Sequence, residues 1–314
     1  MATCWKPGGL IMLKSLHGIW SSRVRLNAPS AFTLQTSSFG TTEISSVEFL
    51  NGQFVAVGNS GKLATSPEAI TWTQRTSSFG TTTIWDVAYG AGVYVAVGAS
   101  GKLATSVDGI SWTQRTSSFG TSTILNVIYS GSLFVAVGVS GKLATSVDGT
   151  TWTQRTSSFG TSIIYGVTYS GSLYVAVGDA GKLATSSDGT TWTQRASSFT
   201  TSIIYSISYG LNYYVACGGD GKIATSLDGS IWTQRTQPAG PLTLRDIDFG
   251  SATFFIGGAN GTAIYSTDAI SWTSADSSFS GSNINTIAYG FPTGIPKFVA
   301  AGQLGLLGTS LITN

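Results

Sequence analysis

The residues best suited to chemistry fall at two adjacent positions that recur every 40 residues. The first position holds Ser45, Trp85, Leu125, Tyr165, Tyr205, Arg245 and Asn285. The second holds Ser46, Asp86, Asn126, Gly166, Ser206, Asp246 and Thr286. The positions around them scarcely vary: Ile84, Val87 and Tyr89 have close equivalents in every unit. Within one chain, such contrast means either that a ligand has shaped the divergent positions or that they drifted where packing is loose. Aromatic rings there can stack on sugars or fill a protein hot spot, and Asp and Arg can fix a ligand's polar groups. Trp85, Asp86, Tyr165, Tyr205, Arg245 and Asp246 are therefore the candidate ligand-binding set. A third divergent position holds Asn59, Ala99, Val139, Asp179, Gly219, Ala259 and Gln303.

The material for catalysis is thin. Glycoside hydrolysis needs two carboxylates flanking the bond. Glu43, Glu48, Asp86, Asp246 and Asp248 are the available acids, and no spacing sets two of them at a working distance. His17 is the only histidine, which leaves little for His-dependent acid–base work. No His/Cys cluster suggests zinc, and Asp179 with Asp220 is a poor basis for calcium. The sequence thus predicts a chain that binds rather than catalyses, with no catalytic residues, metal or cofactor.

The positioning elements follow from the repeat. Gly-Lys-Leu-Ala-Thr-Ser begins at Gly61, Gly101, Gly141 and Gly181, with an Ile variant at Gly221. Trp-Thr-Gln-Arg begins at Trp72, Trp112, Trp152, Trp192 and Trp232, and Trp272 continues the series. One unit contains four strand-like runs, Thr83–Tyr89, Val93–Val97, Lys102–Ser106 and Ser111–Thr116, the first three separated by Gly-containing turns. Four short strands in a period near 40 are the mark of a β-propeller. Six complete units and a seventh lacking its last strand fit before Asn314. Phe32–Gly40 matches Trp72–Gly80 in register, so residues 31–36 are expected to complete the last blade. That pairing removes an open edge. The prediction is all-β: a seven-bladed β-propeller of four-stranded, 40-residue blades over 31–314, closed by its own N-terminal strand. In the last unit about four extra residues, near Phe291–Pro296, predict a longer turn between the first two strands. The divergent positions then gather around one mouth of the central channel.

Between the third and fourth strands runs Ser106-Val-Asp108-Gly109-Ile-Ser-Trp112, repeated at Asp148-Gly149, Asp188-Gly189 and Asp228-Gly229. Asp-Gly is a strong hairpin signal, because the turn needs positive φ and Asp can bond its own backbone. Asp268-Ala269 lacks the Gly, and Glu68-Ala69 lacks both residues. The motif resembles the Asp-box, or BNR repeat, of sialidase-like propellers, in a variant one residue shorter between Asp and Gly. The likeness extends over 31–314. It does not resemble the WD-repeat, since Trp is followed by Thr here. The resemblance implies a structural role at the outer rim for Asp108, Asp148, Asp188, Asp228 and Asp268. It does not carry over sialidase catalysis, because the required arginine cluster is missing: only Arg245 lies on an inner strand. Short-box repeats of this kind occur in bacterial and bacteriophage proteins.

Charged residues make up only 10% of the chain, against the usual quarter. Residues 1–30 hold Lys6, Lys14, Arg23 and Arg25 and no acid, a charge of +4 that leaves about −2 on the rest. The main body is thus no nucleic-acid binder. The arm suits an acidic partner, or serves as a solubilising tail. No apolar run approaches membrane-helix length, and neither membrane insertion nor a secretion signal is expected. Cys217 replaces a Val of other repeats and reads as a buried apolar residue. Low charge, abundant Gly, Ser and Thr, and the short-box resemblance favour a bacteriophage virion component, in tail or capsid surface, docked to other assembly proteins through residues 1–30. The alternatives are a lectin for host-surface glycans at the channel mouth, a bacterial cytoplasmic location, and, least favoured, a sialidase-like glycoside hydrolase.

Overall fold

Each repeat closes on itself as a small antiparallel sheet because its apolar runs are short and its turns are rich in Gly, Asn and Ser. In the second blade the strands are Ile84–Gly90, Val93–Gly98, Leu103–Ser106 and Thr113–Arg115, hydrogen-bonded in that order. The computed structural model describes residues 30–311. These form seven four-stranded antiparallel sheets set in a ring, a seven-bladed β-propeller. Lys6, Lys14, Arg23 and Arg25 of the arm lie outside the described residues.

The core sits between blades rather than within one. Tyr94, Val95, Ala96 and Val97 on the second strand are all buried, because both faces of that strand are covered. Successive side chains point to opposite faces, so an unbroken apolar run serves two interfaces. Phe79, in the link between the first two blades, packs with Val55, Val57 and Leu63 of one blade and Ile84, Val87 and Ala96 of the next. Phe39, Phe119, Phe159, Phe199 and Phe279 occupy the other links and are buried to the same degree. These six phenylalanines are wedges, and none of them is exposed.

Polar side chains fasten the same links. Lys102 Nζ donates to the Phe79 carbonyl at 2.9 Å, and Lys62, Lys142, Lys182 and Lys222 repeat the bond. Ser117 Oγ donates to the Gly101 carbonyl at 2.6 Å. Gly101 itself has φ 67°, and a Cβ there would sit 1.9 Å from the Gly120 carbonyl oxygen, so only glycine allows the turn to press against the link. On the outer strand Arg115 Nε donates to Thr105 Oγ1 at 2.9 Å, which lays the arginine stem along the sheet.

The last blade is completed from the other end of the chain. Thr33–Gln35 pairs antiparallel with Leu307–Leu311, setting Thr33 opposite Thr309 and Gln35 opposite Leu307. Ser30 N–H adds a bond to the Leu311 carbonyl at 3.0 Å. The longer turn of this blade is a short 3-10 segment, Pro292–Gly294, between Ile284–Gly290 and Lys297–Gly302. The outer strand is shorter than the sequence suggests, Thr113–Arg115 rather than 111–116. The reason lies in Asp108, whose Oδ1 accepts the backbone N–H of both Ile110 and Ser111 at 2.8 Å and holds those residues in the turn.

Candidate functional site

The innermost strand of every blade carries a β-bulge at one place. In the second blade Ile84 pairs with Gly98 and Asp86 with Val97, leaving Trp85 as the extra residue. The same shift occurs at Ser45, Leu125, Tyr165, Tyr205, Arg245 and Asn285. The first divergent position is thus the bulge in all seven blades. A bulge re-aims side chains and breaks the alternation of faces. Both divergent positions consequently contribute to the channel wall.

They line one cavity of about 360 Å³, within the range of small-ligand sites. Trp85, Asp86, Tyr165, Tyr205, Arg245 and Asp246 all reach it, together with Glu43, Glu48 and Asn285. Glu43 immediately precedes the innermost strand of the first blade, so the cavity lies toward the face that carries the inter-blade links. The third divergent position lines no part of it. Two of its members act from behind: Asn59 Nδ2 donates to Glu43 Oε2 at 3.2 Å, and Asp179 lies against the Tyr165 hydroxyl.

The lining residues differ in what they have left to offer. Asp86 is buried and fully engaged. Its Oδ1 accepts Ser46 Oγ–H at 2.9 Å, and its Oδ2 accepts Asn126 Nδ2 at 2.6 Å and the Val127 N–H at 2.9 Å. Asp246 is held likewise by Ser206 Oγ, Ile247 N and Ile287 N. Both aspartates tie blades together. By contrast Trp85 is 37% exposed, and the Tyr165 and Tyr205 rings lie 5.2 Å apart at 57°, side by side on the wall. Arg245 Nε is buried with no hydrogen-bond partner among the described residues, and so is Asn285 Oδ1. Asn285 Nδ2 donates to Glu43 Oε1 at 2.7 Å. The Glu43–Asn285 clamp across the first and last blades was not distinguished by sequence, since its partners are 242 residues apart.

Burial sets the electrostatics. It pushes the Asp86 carboxyl up to about 6 against the hydrogen bonds it accepts. Burial likewise raises Asp248 to about 7, and raises Asp246. Glu48 rises well above the usual carboxylate range through burial and then the charges of Asp86, Asp248 and Asp246. Tyr165 is pushed up to about 12 by burial, by Asp179 and by Tyr205. Of the inner acids, Glu43, Glu48, Asp86 and Asp246 line the cavity, while Asp248 is spent on the Phe249 and Tyr289 N–H groups at 2.7 and 2.6 Å. Among the described residues no group of three or more His, Cys, Asp or Glu is arranged to hold a metal ion.

The Asp-Gly turns lie away from this cavity. Ser106 Oγ donates to Asp108 Oδ1 at 2.9 Å and accepts the Gly109 N–H at 2.8 Å, and Trp112 Nε1 donates to the Gly109 carbonyl at 3.3 Å. The turns at Asp148, Asp188 and Asp228 repeat this arrangement, and Asp268 keeps the carboxylate part. The turn N–H groups of Ser111 and Ile110 hold the Asp108 carboxyl below the usual carboxylate range.

No protein-family model matches the chain, and no curated protein matches it in sequence. Solved structures match its fold. A structure of YCF48 bound to a D1 peptide is 19% identical, covering 91% of this chain and 98% of its own at a TM-score of 0.74. Virginiamycin B lyase from Staphylococcus aureus is 12% identical, covering 90% of this chain and 100% of its own at 0.78. The WD40 propeller domain of Doa1 is 8% identical over 92% of this chain and 98% of its own, at 0.72. At these identities the likeness is one of fold. It corrects the expectation of a non-enzyme: virginiamycin B lyase and a streptogramin B lyase are named as enzymes and use this propeller, so the architecture gives no ground for setting catalysis aside.

Proposed function

We propose that this propeller takes a carbohydrate ligand at the link-side mouth of its channel. The observation that carries the reading is the state of the bulge residues. They differ from blade to blade, they meet in one cavity, and several keep surface or polar atoms to offer: the exposed Trp85, the ring faces of Tyr165 and Tyr205, and Arg245, whose Nε has no partner among the described residues. Aromatic faces beside planar polar groups suit sugar rings, whose apolar faces stack and whose edges are hydroxyls. The test is a glycan array with full-length protein beside Trp85→Ala. Binding that the variant loses supports the reading; folded wild-type protein that binds no glycan overturns it.

A second reading concerns where the propeller works. The +4 charge of residues 1–30, set against about −2 elsewhere, supports an arm that docks the propeller onto an acidic neighbour. Lys6, Lys14, Arg23 and Arg25 are the residues this docking would use. The Asp-Gly turn geometry supports kinship with short-box Asp-box propellers, and through that resemblance a place in a bacteriophage virion. YCF48 with its D1 peptide is an example of this fold holding a protein ligand. Deleting residues 1–29 should leave a folded propeller that no longer enters its assembly, and unimpaired incorporation would refute the docking role.

A further inference from the structure

Gly166 stands outside a pattern that four of the seven blades share at the second divergent position, where a side chain of one blade accepts a backbone N–H from the innermost strand of the next. Ser46 and Ser206 instead donate to Asp86 and Asp246, and Asp246 takes the Ile247 N–H that follows it at 2.9 Å. Asp86 takes the Val127 N–H at 2.9 Å, Asn126 Oδ1 that of Val167 at 3.1 Å, Asp246 that of Ile287 at 2.8 Å, and Thr286 Oγ1 that of Val47 at 3.2 Å. These N–H groups need an acceptor because the innermost strand is a sheet edge.

Register places Ile207 among them. It pairs with Ala216 as Val127 pairs with Ala136 and Val167 with Ala176. Its N–H is therefore turned from its own sheet toward Gly166, which has no side chain to meet it. Gly166 and Ile207 both line the cavity, beside Tyr165 and Tyr205. Nothing local demands glycine there. Its φ is not in the left-handed region, and a Cβ would meet no atom closer than the Tyr205 carbonyl oxygen at 3.4 Å, an ordinary contact. The missing side chain leaves a donor and a space together on the wall of the site.

Resting on the carbohydrate reading above, we propose that the Ile207 N–H is a ligand-binding donor, and that the sugar itself brings the oxygen Gly166 withholds. In three of the four blades that supply it, that oxygen belongs to a carboxylate (Asp86, Asp246) or a carboxamide (Asn126), and in the fourth to the Thr286 hydroxyl. The ligand is accordingly a sugar bearing an acyl oxygen, on an N-acetyl or a carboxylate substituent, seated beside the tyrosine pair. A sugar with hydroxyls alone offers only the kind of acceptor that Thr286 supplies at 3.2 Å, the longest bond of the set.

The experiment is an NMR titration of the full-length protein with N-acetylglucosamine, glucuronate and glucose. One of the first two should bind about tenfold or more tightly than glucose, and which one does so separates the amide from the carboxylate source. Its addition should shift the Ile207 amide resonance. Gly166→Asn supplies the oxygen from the protein and should weaken binding about tenfold while melting no lower than wild type. Gly166→Ala, which adds bulk but no oxygen, should weaken binding less than Gly166→Asn. A folded Gly166→Asn that binds like wild type, glucose binding as tightly as the acyl sugars, or an unmoved Ile207 amide in the bound wild-type protein would each overturn the acyl seat while leaving sugar binding in place. Should no sugar bind, the carbohydrate reading fails and the acyl seat falls with it. The Ile207 measurement uses wild-type protein and does not depend on the variants folding.

Discussion

The Asp86 carboxylate in the second blade accepts the backbone N–H of Val127 in the third at 2.9 Å. Its other oxygen accepts Ser46 Oγ–H from the first blade, also at 2.9 Å, so one side chain joins three blades. Asp86→Ala strands these donors in a buried place, and an unmet buried group costs about 1–3 kcal/mol. We expect a loss of about 2–3 kcal/mol in urea unfolding at neutral pH. Asp86→Asn should hold its stability, since its Oδ1 can take the Val127 N–H and its Nδ2 can donate to Ser46 Oγ. An Asp86→Ala variant as stable as wild type would show that the bonds contribute nothing.

The pH dependence of stability follows from the same acids. Burial raises Asp86 to about 6 and Asp248 to about 7, with Glu48 and Asp246 moved the same way. A carboxyl whose folded pKa lies above its unfolded value contributes stability when protonated and loses it as pH rises through the folded pKa. The Asp-box carboxyls are shifted down, Asp108 and Asp228 among them, so their contribution is lost as pH falls below the ordinary range near 3.8. The melting temperature should therefore rise as pH is lowered from 8 to about 5, then fall below about pH 4. Asp86→Asn should flatten part of the slope between pH 5 and 8. A melting temperature that climbs steadily from pH 5 to 8 would contradict this account.

In the second to fifth blades the Asp-Gly turn anchors its tryptophan through the glycine carbonyl; Trp152 Nε1, for one, donates to Gly149 O at 3.0 Å. Where alanine replaces that glycine the bond is gone: Trp72 and Trp272 have buried Nε1 atoms without partners among the described residues, and Ala69 and Ala269 stand at φ 61° and 65°. Gly149 has φ 73°, and a Cβ would approach Val95 Cγ2 to 2.9 Å. Gly149→Ala should cost about 1–2 kcal/mol, the usual penalty for a left-handed L-residue. The Trp152 indole N–H should lose its hydrogen-bonded chemical shift, and an unmoved indole resonance would show that the alanine turns differ for another reason.

Arg245 and Trp85 should separate binding from stability. Trp85 is 37% exposed, so Trp85→Ala should change stability by no more than about 0.5 kcal/mol while weakening ligand binding. Arg245→Met removes a cation whose buried Nε has no partner among the described residues and should not lower the melting temperature, yet should also impair binding. If either variant unfolds more readily in proportion to its loss of binding, the residue belongs to the scaffold.

Closure should be all-or-none at Thr33–Gln35. Deleting residues 1–36 bares the edge of Leu307–Leu311, a strand ready to pair with another chain. That protein should associate in light scattering at concentrations where the protein lacking only residues 1–29 stays monodisperse relative to wild type. Identical behaviour of the two truncations would deny the closing strand its role.

The period, the blade number, the closing strand and the Asp-Gly turns were all legible in the sequence. Each depends on local hydrogen bonds or a motif copied at fixed spacing, so Phe32–Gly40 could be matched to Trp72–Gly80 without coordinates. Divergence pointed to Trp85, Tyr165, Tyr205 and Arg245, but it did not mark the bulge that turns them into the channel, because no residue type signals the extra position. Nor did it separate them from Asp86 and Asp246, whose carboxylates are taken by the neighbouring blades. Those bonds join residues 40 or 41 apart across an interface whose geometry exists only once the ring has closed. The pairing of Glu43 with Asn285 and the Arg245 Nε left without a partner among the described residues are of the same kind. Local chemistry wrote the blade; the angle between blades decided which polar groups were consumed in holding the ring and which were left facing the channel.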